Sequence, residues 1–306
     1  MENKLKIFID NFGFKNRGDQ LMIQSVLNQI RQQRPQANVY VRKEVFLQNP
    51  SYCIANTIYP LELSNSGIRH SKLYAMIVNF LLRKEYVVTP RQMDIVLDCC
   101  GYYITDAWHK DESDYLYVKH YYSLFCNPNL KIIYLPQAFG PFRNEWSKKI
   151  GQLAYLRAIK IYPRDTISMQ YLREIVGDDE KLSIAPDFTC FCAPSEQAPI
   201  QFPPKQYIII IPNGNMLEQT ASAIASKYLD SLTTIINHLI DRGEYVILLN
   251  HEGHDDDEII ASINRKLPQP IPIVTQISGQ DIKAIIKYCK LLITARFHGA
   301  VSGLTQ

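Results

Sequence analysis

The chain has no apolar run long enough to cross a bilayer, no Cys-x-x-Cys pair and no long basic run. Each absence removes a class of function. The longest apolar candidate, Leu73–Leu82, falls far short of the ~20 residues a membrane-spanning helix needs. It reads as a buried helix, and in second place as a helix touching a membrane surface, with Arg69, Lys72, Arg83 and Lys84 flanking it. The seven cysteines are odd in number and irregular in spacing. Cys99 and Cys100 adjoin in an apolar run and Cys190 and Cys192 lie in an extended one, so reduced core thiols of a cytoplasmic protein are expected and a metal site is not. A net charge of +3 without a basic run gives no argument for nucleic acid as a partner. No internal repeat or low-complexity tract is present. The first residues carry charge and pass directly into a strand, so no secretory leader is expected.

What is present is the composition of a soluble globular protein: 306 residues, 46% hydrophobic and 21% charged, enough for two α/β domains. Leu5–Asp10 reads as a strand, followed by a polar loop and a helix with Asp19 as its cap and Leu21, Ile23, Val26, Leu27 and Ile30 as its apolar stripe. Val39–Val41 begins the next strand, which opens a βαβ unit. Residues 42–70 show no regular pattern. Strands are then expected at Asp94–Asp98, Ile132–Leu135, Ile159–Tyr162 and Leu182–Ile184. Helices are expected at Ser113–Phe125, Glu145–Arg157 and Asp165–Ile175, with a proline-bounded loop at 136–141. The proline-rich stretch Ala193–Lys205 reads as a linker between residues 1–195 and 196–306. Beyond it, strands at Tyr207–Ile211, Tyr245–Leu249, Ile271–Val274 and Leu291–Thr294 alternate with helices at about 217–241, 256–266, 281–288 and 298–304. That order implies a parallel sheet covered on both faces. The expected fold is therefore two Rossmann-like, doubly wound domains with ligands bound between the carboxyl ends of the two sheets. Four strands make a small sheet for the second domain, so a C-terminal piece is expected beyond Gln306.

Chemistry-bearing residues fall in the loops that follow strands. Between strand 291–294 and the helix after it sit Arg296 and His298. Free N–H groups and the helix dipole make such a junction an anion site, and the arginine and histidine add a clamp and a titratable ring. The alternative is a structural ion pair for Arg296 and a capping role for His298. Asn16, Gly18 and Asp19 permit close backbone approach to a ligand, or form a plain N-cap. Tyr102 and Tyr103, with Thr105 and Asp106 behind them, suit a sugar face or simply pack the loop. Gln137 binds a ligand or pins its turn. Arg164 opens a helix against the dipole, which suits an arriving anion or a salt bridge to Asp187. His251 and His254 lie beside an acid run, but not in the spacing of zinc proteases. The three aspartates that follow are explained by dipole and capping, and His251 is kept as a cleft residue.

Taken in order, Asn16-x-Gly18-Asp19, Gln137-x-x-Gly140-Pro141, Arg164-Asp165-x-x-Ser168, Ala185-Pro186-Asp187 and Arg296-Phe297-His298-Gly299-Ala300 resemble the polysaccharide pyruvyl transferase family over nearly the whole chain. The resemblance implies a fold similar to the two-domain GT-B glycosyltransferases. It implies transfer of the enolpyruvyl carbons of phosphoenolpyruvate onto two hydroxyls of a sugar, giving a cyclic pyruvate ketal. Arg164, Arg296 and His298 match the family's donor-facing positions, with Phe297 and Gly299 beside them and His298 as the acid or base. Phosphoenolpyruvate is then a co-substrate and no cofactor is implied. The acceptor is a galactose- or mannose-type glycan, free or attached to a lipid carrier at the inner face of the membrane. Where family members often carry a run of glycines, this chain has Cys99-Cys100-Gly101. A GT-B glycosyltransferase using a nucleotide sugar and a non-catalytic glycan-binding protein are the rival readings.

Overall fold

The computed structural model describes residues 4–14, 16–63, 88–200, 202, 206–218, 220–252 and 254–306. The helix expected at Leu73–Leu82 and its flanking cations lie outside them, as do most of residues 201–205. Among the described residues no helix is long and apolar enough to cross a membrane. The chain divides into two compact units, Met1–Phe14 with Val26–Phe188, and Lys15–Ser25 with Thr189–Gln306.

The first unit is built on six parallel strands: β1 (Lys6–Asp10), β2 (Asn38–Arg42), β3 (Ile58–Leu61), β4 (Ile95–Asp98), β5 (Lys131–Gln137) and β6 (Ala158–Pro163), ordered β3-β2-β1-β4-β5-β6. Its helices are the part of α1 (Arg17–Gln33) from Val26 onward, the start of that helix belonging to the other unit, and α2 (Lys43–Gln48), α3 (Pro50–Ala55), α4 (Glu112–Leu124), α5 (Glu145–Arg157) and α6 (Thr166–Val176). β1 pairs with β2 on one side and β4 on the other, placing Asp10 beside Asp98. The chain therefore reverses its direction of progress across the sheet between β1 and β4. In open α/β sheets that reversal opens a crevice at the carboxyl ends of the two strands.

Several local expectations are corrected. Residues 42–61, which show no regular pattern in sequence, form α2, α3 and β3. Six-residue helices complete fewer than two turns, too few for a 3.6-residue period to emerge. Asn49 caps α3 by accepting from the Tyr52 N–H at 3.1 Å, with Pro50 as the first helical residue. Asp19 does not cap α1. The helix starts at Arg17, and it is the Asn16 side chain that accepts from the Gly18 N–H, at 2.6 Å. β5 runs through Pro136 as far as Gln137, with a register shift between Tyr134 and Gln137 where proline offers no donor to the ladder. Of Leu182–Ile184 only Leu182 pairs, in a single bridge to Ile161.

The second unit has four parallel strands, β7 (Tyr207–Ile211), β8 (Tyr245–Leu249), β9 (Ile273–Val274) and β10 (Leu291–Thr294), in the order β10-β7-β8-β9. Its helices are α7 (Asn215–Glu218), α8 (Ser222–Asp241), α9 (His254–Lys266), α10 (Gly279–Lys287) and α11 (Phe297–Leu304). β7 is wholly buried. Tyr207, Ile209 and Ile211 face a core with Ile282, Ile285 and Ile286, whereas Ile210 faces one with Ile236 and Ile260. Period-two alternation thus fills both faces of a covered sheet. The buried Lys283 ammonium donates to the carbonyls of Thr189 and Cys192 at 3.0 and 2.8 Å, pinning the start of this unit to α10. The strand order repeats the first four positions of the first sheet, so the reversal here lies between β7 and β10.

Candidate active site

The junction from β10 to α11 lies at that reversal. Asn213, just past β7, donates its side-chain N–H to the Ala295 carbonyl at 2.9 Å and so ties the two strand ends together. Arg296 is buried, and its Nε donates to Asp256 Oδ2 at 3.1 Å, while Nη2 grips Asp256 Oδ1. Nη1 meets Glu252 Oε2 at 2.5 Å. The ion-pair alternative is therefore realised: a planar fork is fixed by two carboxylates, the geometry in which arginine is most rigid. Asp256 is fully buried and also accepts from the Gly214 N–H at 3.1 Å, so the acid run at the start of α9 does more than complement a dipole. Its neighbour Asp257 accepts from Asn250.

His298 is the second residue of α11 and does not cap it. The cap position is Arg296, whose side chain makes no capping bond. Phe297 is 46% exposed and sits edge-on to the His298 ring at 5.4 Å. Gly299 packs on β10: a Cβ there would lie 2.8 Å from Thr294 Oγ1.

The start of α1 belongs to this same site. A Cβ on Gly18 would lie 2.8 Å from His298 Cε1 and closer still to Nδ1, so only glycine lets the ring lie where it does. The Asn16 side chain donates to Glu252 at 2.7 Å, and the Arg17 N–H meets the His251 carbonyl at 3.4 Å. Asn16, Gly18, Glu252, Arg296 and His298 are thereby drawn into one cluster.

His251 reports the electrostatics of this cluster. It is almost wholly buried, and its Nε2 has no hydrogen-bond partner among the described residues. Burial, and then the nearby His298, Arg296 and Arg17, push its pKa down to about 3. The ring is thus held neutral beside the Arg296 guanidinium, which Asp256 and Glu252 hold in place.

In the first unit, Asp10 and Asp98 end adjacent strands at the other reversal. Arg42 grips both oxygens of Asp10, and the Tyr121 hydroxyl donates to Oδ2 at 2.6 Å. Asp98 accepts from Asn11 Nδ2 at 2.6 Å and Gln137 Nε2 at 2.8 Å. Its pKa is nonetheless pushed up to about 6, by burial and then by the charge of Asp10, against those hydrogen bonds. Gln137 is thus committed to Asp98, although its Oε1 has no partner among the described residues. Its backbone carbonyl accepts from the Arg164 N–H at 3.0 Å.

The Arg164 side chain lies 3.7 Å from Asp187, and burial lowers its pKa against the pull of Asp187 and Asp165. Asp165 caps α6 through the Ser168 N–H at 2.7 Å. Asp106 is spent on structure: it accepts from the backbone of Arg143 and Asn144, from the Asn144 side chain and from the Ser147 hydroxyl. Tyr102 is exposed and bridges to Ala138, while Tyr103 stands edge-on to His109 at 4.6 Å. Asp10, Arg42 and Tyr121 were not among the sequence candidates. The available signal was an acid closing each of two strands that prove to be neighbours.

A family model, polysaccharide pyruvyl transferase, matches residues 16–306. The chain belongs to this family. It is accordingly a transferase acting in polysaccharide chemistry, and the matched span takes in Asn16 and Gly18 as well as Arg296 and His298. No curated protein matches it. Among solved structures it is similar to the UDP-GlcNAc 2-epimerase of Methanocaldococcus jannaschii, with 11% identity, a TM-score of 0.57 and coverage of 98% of this chain and 81% of that one. It is also similar to S. aureus MnaA in a co-structure with UDP, with 12% identity, a TM-score of 0.53 and coverage of 96% and 75%. At such identities the likeness is one of fold, the two-domain Rossmann-like GT-B fold.

Proposed function

We propose that the protein moves pyruvate from phosphoenolpyruvate onto two hydroxyls of a galactose- or mannose-type unit in a polysaccharide precursor. The products are a cyclic ketal and phosphate. The observation that carries this reading is the Arg296–His298 turn, at a sheet reversal, where a helix starts without a side-chain cap beside a buried arginine fork and a neutral His251.

The two acceptor hydroxyls form two bonds to C2 of the donor, and the bond from C2 to the phosphate oxygen breaks. One hydroxyl proton ends on the methylene carbon, which becomes methyl, and the other leaves on phosphate. Arg296 steadies the phosphate or carboxylate of the donor through its fork, with the N–H groups at the start of α11 adding partial positive charge. Glu252 is the less buried of its two carboxylate partners and yields first to an incoming anion. His298 moves one of the protons. Arg164 enters the donor site through the family resemblance alone. No cofactor is needed in this scheme, and the acceptor is a glycan or lipid-linked oligosaccharide at the cytoplasmic face of a membrane.

The rival donor is a nucleotide sugar, since one structural neighbour is named a UDP-GlcNAc 2-epimerase and another is a co-structure with UDP. Thermal unfolding with each donor separates the two, because only a bound donor raises the midpoint. Protection by phosphoenolpyruvate, and a ketal mass gain on a glycan panel with matching phosphate release, are expected. Protection by UDP sugars alone would overturn the reading.

A further inference from the structure

The first unit carries a second pocket that the donor chemistry does not use. It measures about 350 Å³ and is lined by Arg42, Glu44, Tyr117, His120, Tyr121 and Leu124. That is the low end of the ~300–1,000 Å³ typical of ligand pockets, room for one or two sugar rings. We propose that it is the subsite for a neutral hexose of the acceptor glycan; this rests on the reading of the protein as a glycan-modifying transferase.

Three features argue for that ligand. The lining alternates flat aromatic faces with donors and acceptors, as a ring with apolar C–H faces and a hydroxyl rim requires. Tyr117 is 56% exposed and so offers its ring to a ligand. Arg42 stacks on Tyr121 at 5.3 Å, which fixes the second ring.

The charge balance selects a neutral sugar. Arg42 is already held by Asp10, and Glu44 adds a second carboxylate to the lining. A uronic acid or a phosphosugar would meet repulsion there, whereas Glu44 accepts hydroxyl protons well.

A second cavity of about 30 Å³ shares Arg42, Tyr117 and Tyr121 with it and is lined also by Asn11, Asp98 and Tyr103. It has space for a water or an exocyclic hydroxymethyl group, with Asp98 as its polar floor.

The test is binding of methyl β-galactoside, methyl α-mannoside and methyl β-glucuronide to the full chain, followed by saturation-transfer NMR. One or both neutral glycosides should bind and the glucuronide should not. Tyr117→Ala and Glu44→Gln, both surface changes, should each weaken the neutral glycoside about tenfold, the effect of losing one stacking or charge-assisted contact. Thermal protection by phosphoenolpyruvate should be unaltered in both. Wild-type affinity in both variants, tighter binding of the glucuronide, or no binding of any glycoside overturns the subsite. Tyr117-dependent binding without phosphate release from phosphoenolpyruvate would keep the subsite and remove the donor. Ketal formation with an acceptor KM unchanged in both variants would do the reverse.

Discussion

The two sheets reverse at the same topological point and do opposite things there. In the first unit, β1 and β4 end in Asp10 and Asp98, and the crevice is acidic, tyrosine-rich and closed by hydrogen bonds. In the second, β7 and β10 lead into Asn213 and Arg296, and the crevice gathers Arg17, His251, Arg296 and His298. Topology sets where a ligand can lie, and the residues that follow the strands set its charge. An acidic, aromatic crevice suits a polyol, and a crevice that holds an arginine fork beside a helix N-terminus suits a small anion.

The most damaging way to break the comparison is to remove the positive side. Arg296→Ala leaves Asp256 buried without its cation, a loss of about 3–5 kcal/mol by the usual cost of splitting a buried pair. Both the unfolding midpoint and donor affinity should fall. Arg296→Lys keeps the charge but cannot span two carboxylates, so it should recover part of the stability and little donor binding. Calorimetric titration with phosphoenolpyruvate checks this, and wild-type affinity in the lysine variant would remove the fork from the donor site.

His298→Ala comes next. Loss of a general acid or base lowers turnover by ~10²–10⁴-fold. The donor dissociation constant should change far less, because the clamp is untouched. Near-normal turnover would take the histidine out of the chemistry.

Gly18→Ala is a smaller and more pointed perturbation. The added methyl group meets the His298 ring first. A displacement of about 1 Å can cost ~10²-fold in rate. Turnover should drop by about that factor while donor binding holds, and His298→Ala combined with Gly18→Ala should be no worse than His298→Ala alone. Additive losses would show that the glycine acts elsewhere.

These residues also show what could be read from the linear sequence. The four strands of the second unit were legible, because β7 and β8 are continuous apolar runs and amphipathic helices separate them. So were Arg296 and His298, because a cation and a titratable ring interrupt an apolar junction. The contact of Gly18 with His298 was not, because local pattern carries no trace of a partner supplied by the far end of the chain. Neither was the clustering of Asp10, Arg42 and Asp98, since each reads as the ordinary polar end of a strand until strand order is known. Asp256 was hidden for another reason: a helix-opening aspartate already has a sufficient local explanation.

The gentlest test compares the two crevices through pH alone. Asp98 titrates near 6 in the folded protein and near ~3.9 unfolded, so its contribution is fully present below the lower value and is lost as pH rises through 6. His251 is displaced the other way, to about 3 from ~6.5. Its neutral burial costs no protonation free energy above ~6.5, and stability is lost as pH falls from there toward 3. Between roughly 4 and 6 the two units should therefore pull against each other. Relative to wild type, Asp98→Asn should gain stability as pH rises across that window, and His251→Gln should gain as it falls. Each unit of displacement corresponds to ~1.4 kcal/mol, so slopes of that order should appear in urea unfolding midpoints measured at several pH values. Curves for either variant that run parallel to wild type would mean that its crevice does not hold the charge ascribed to it.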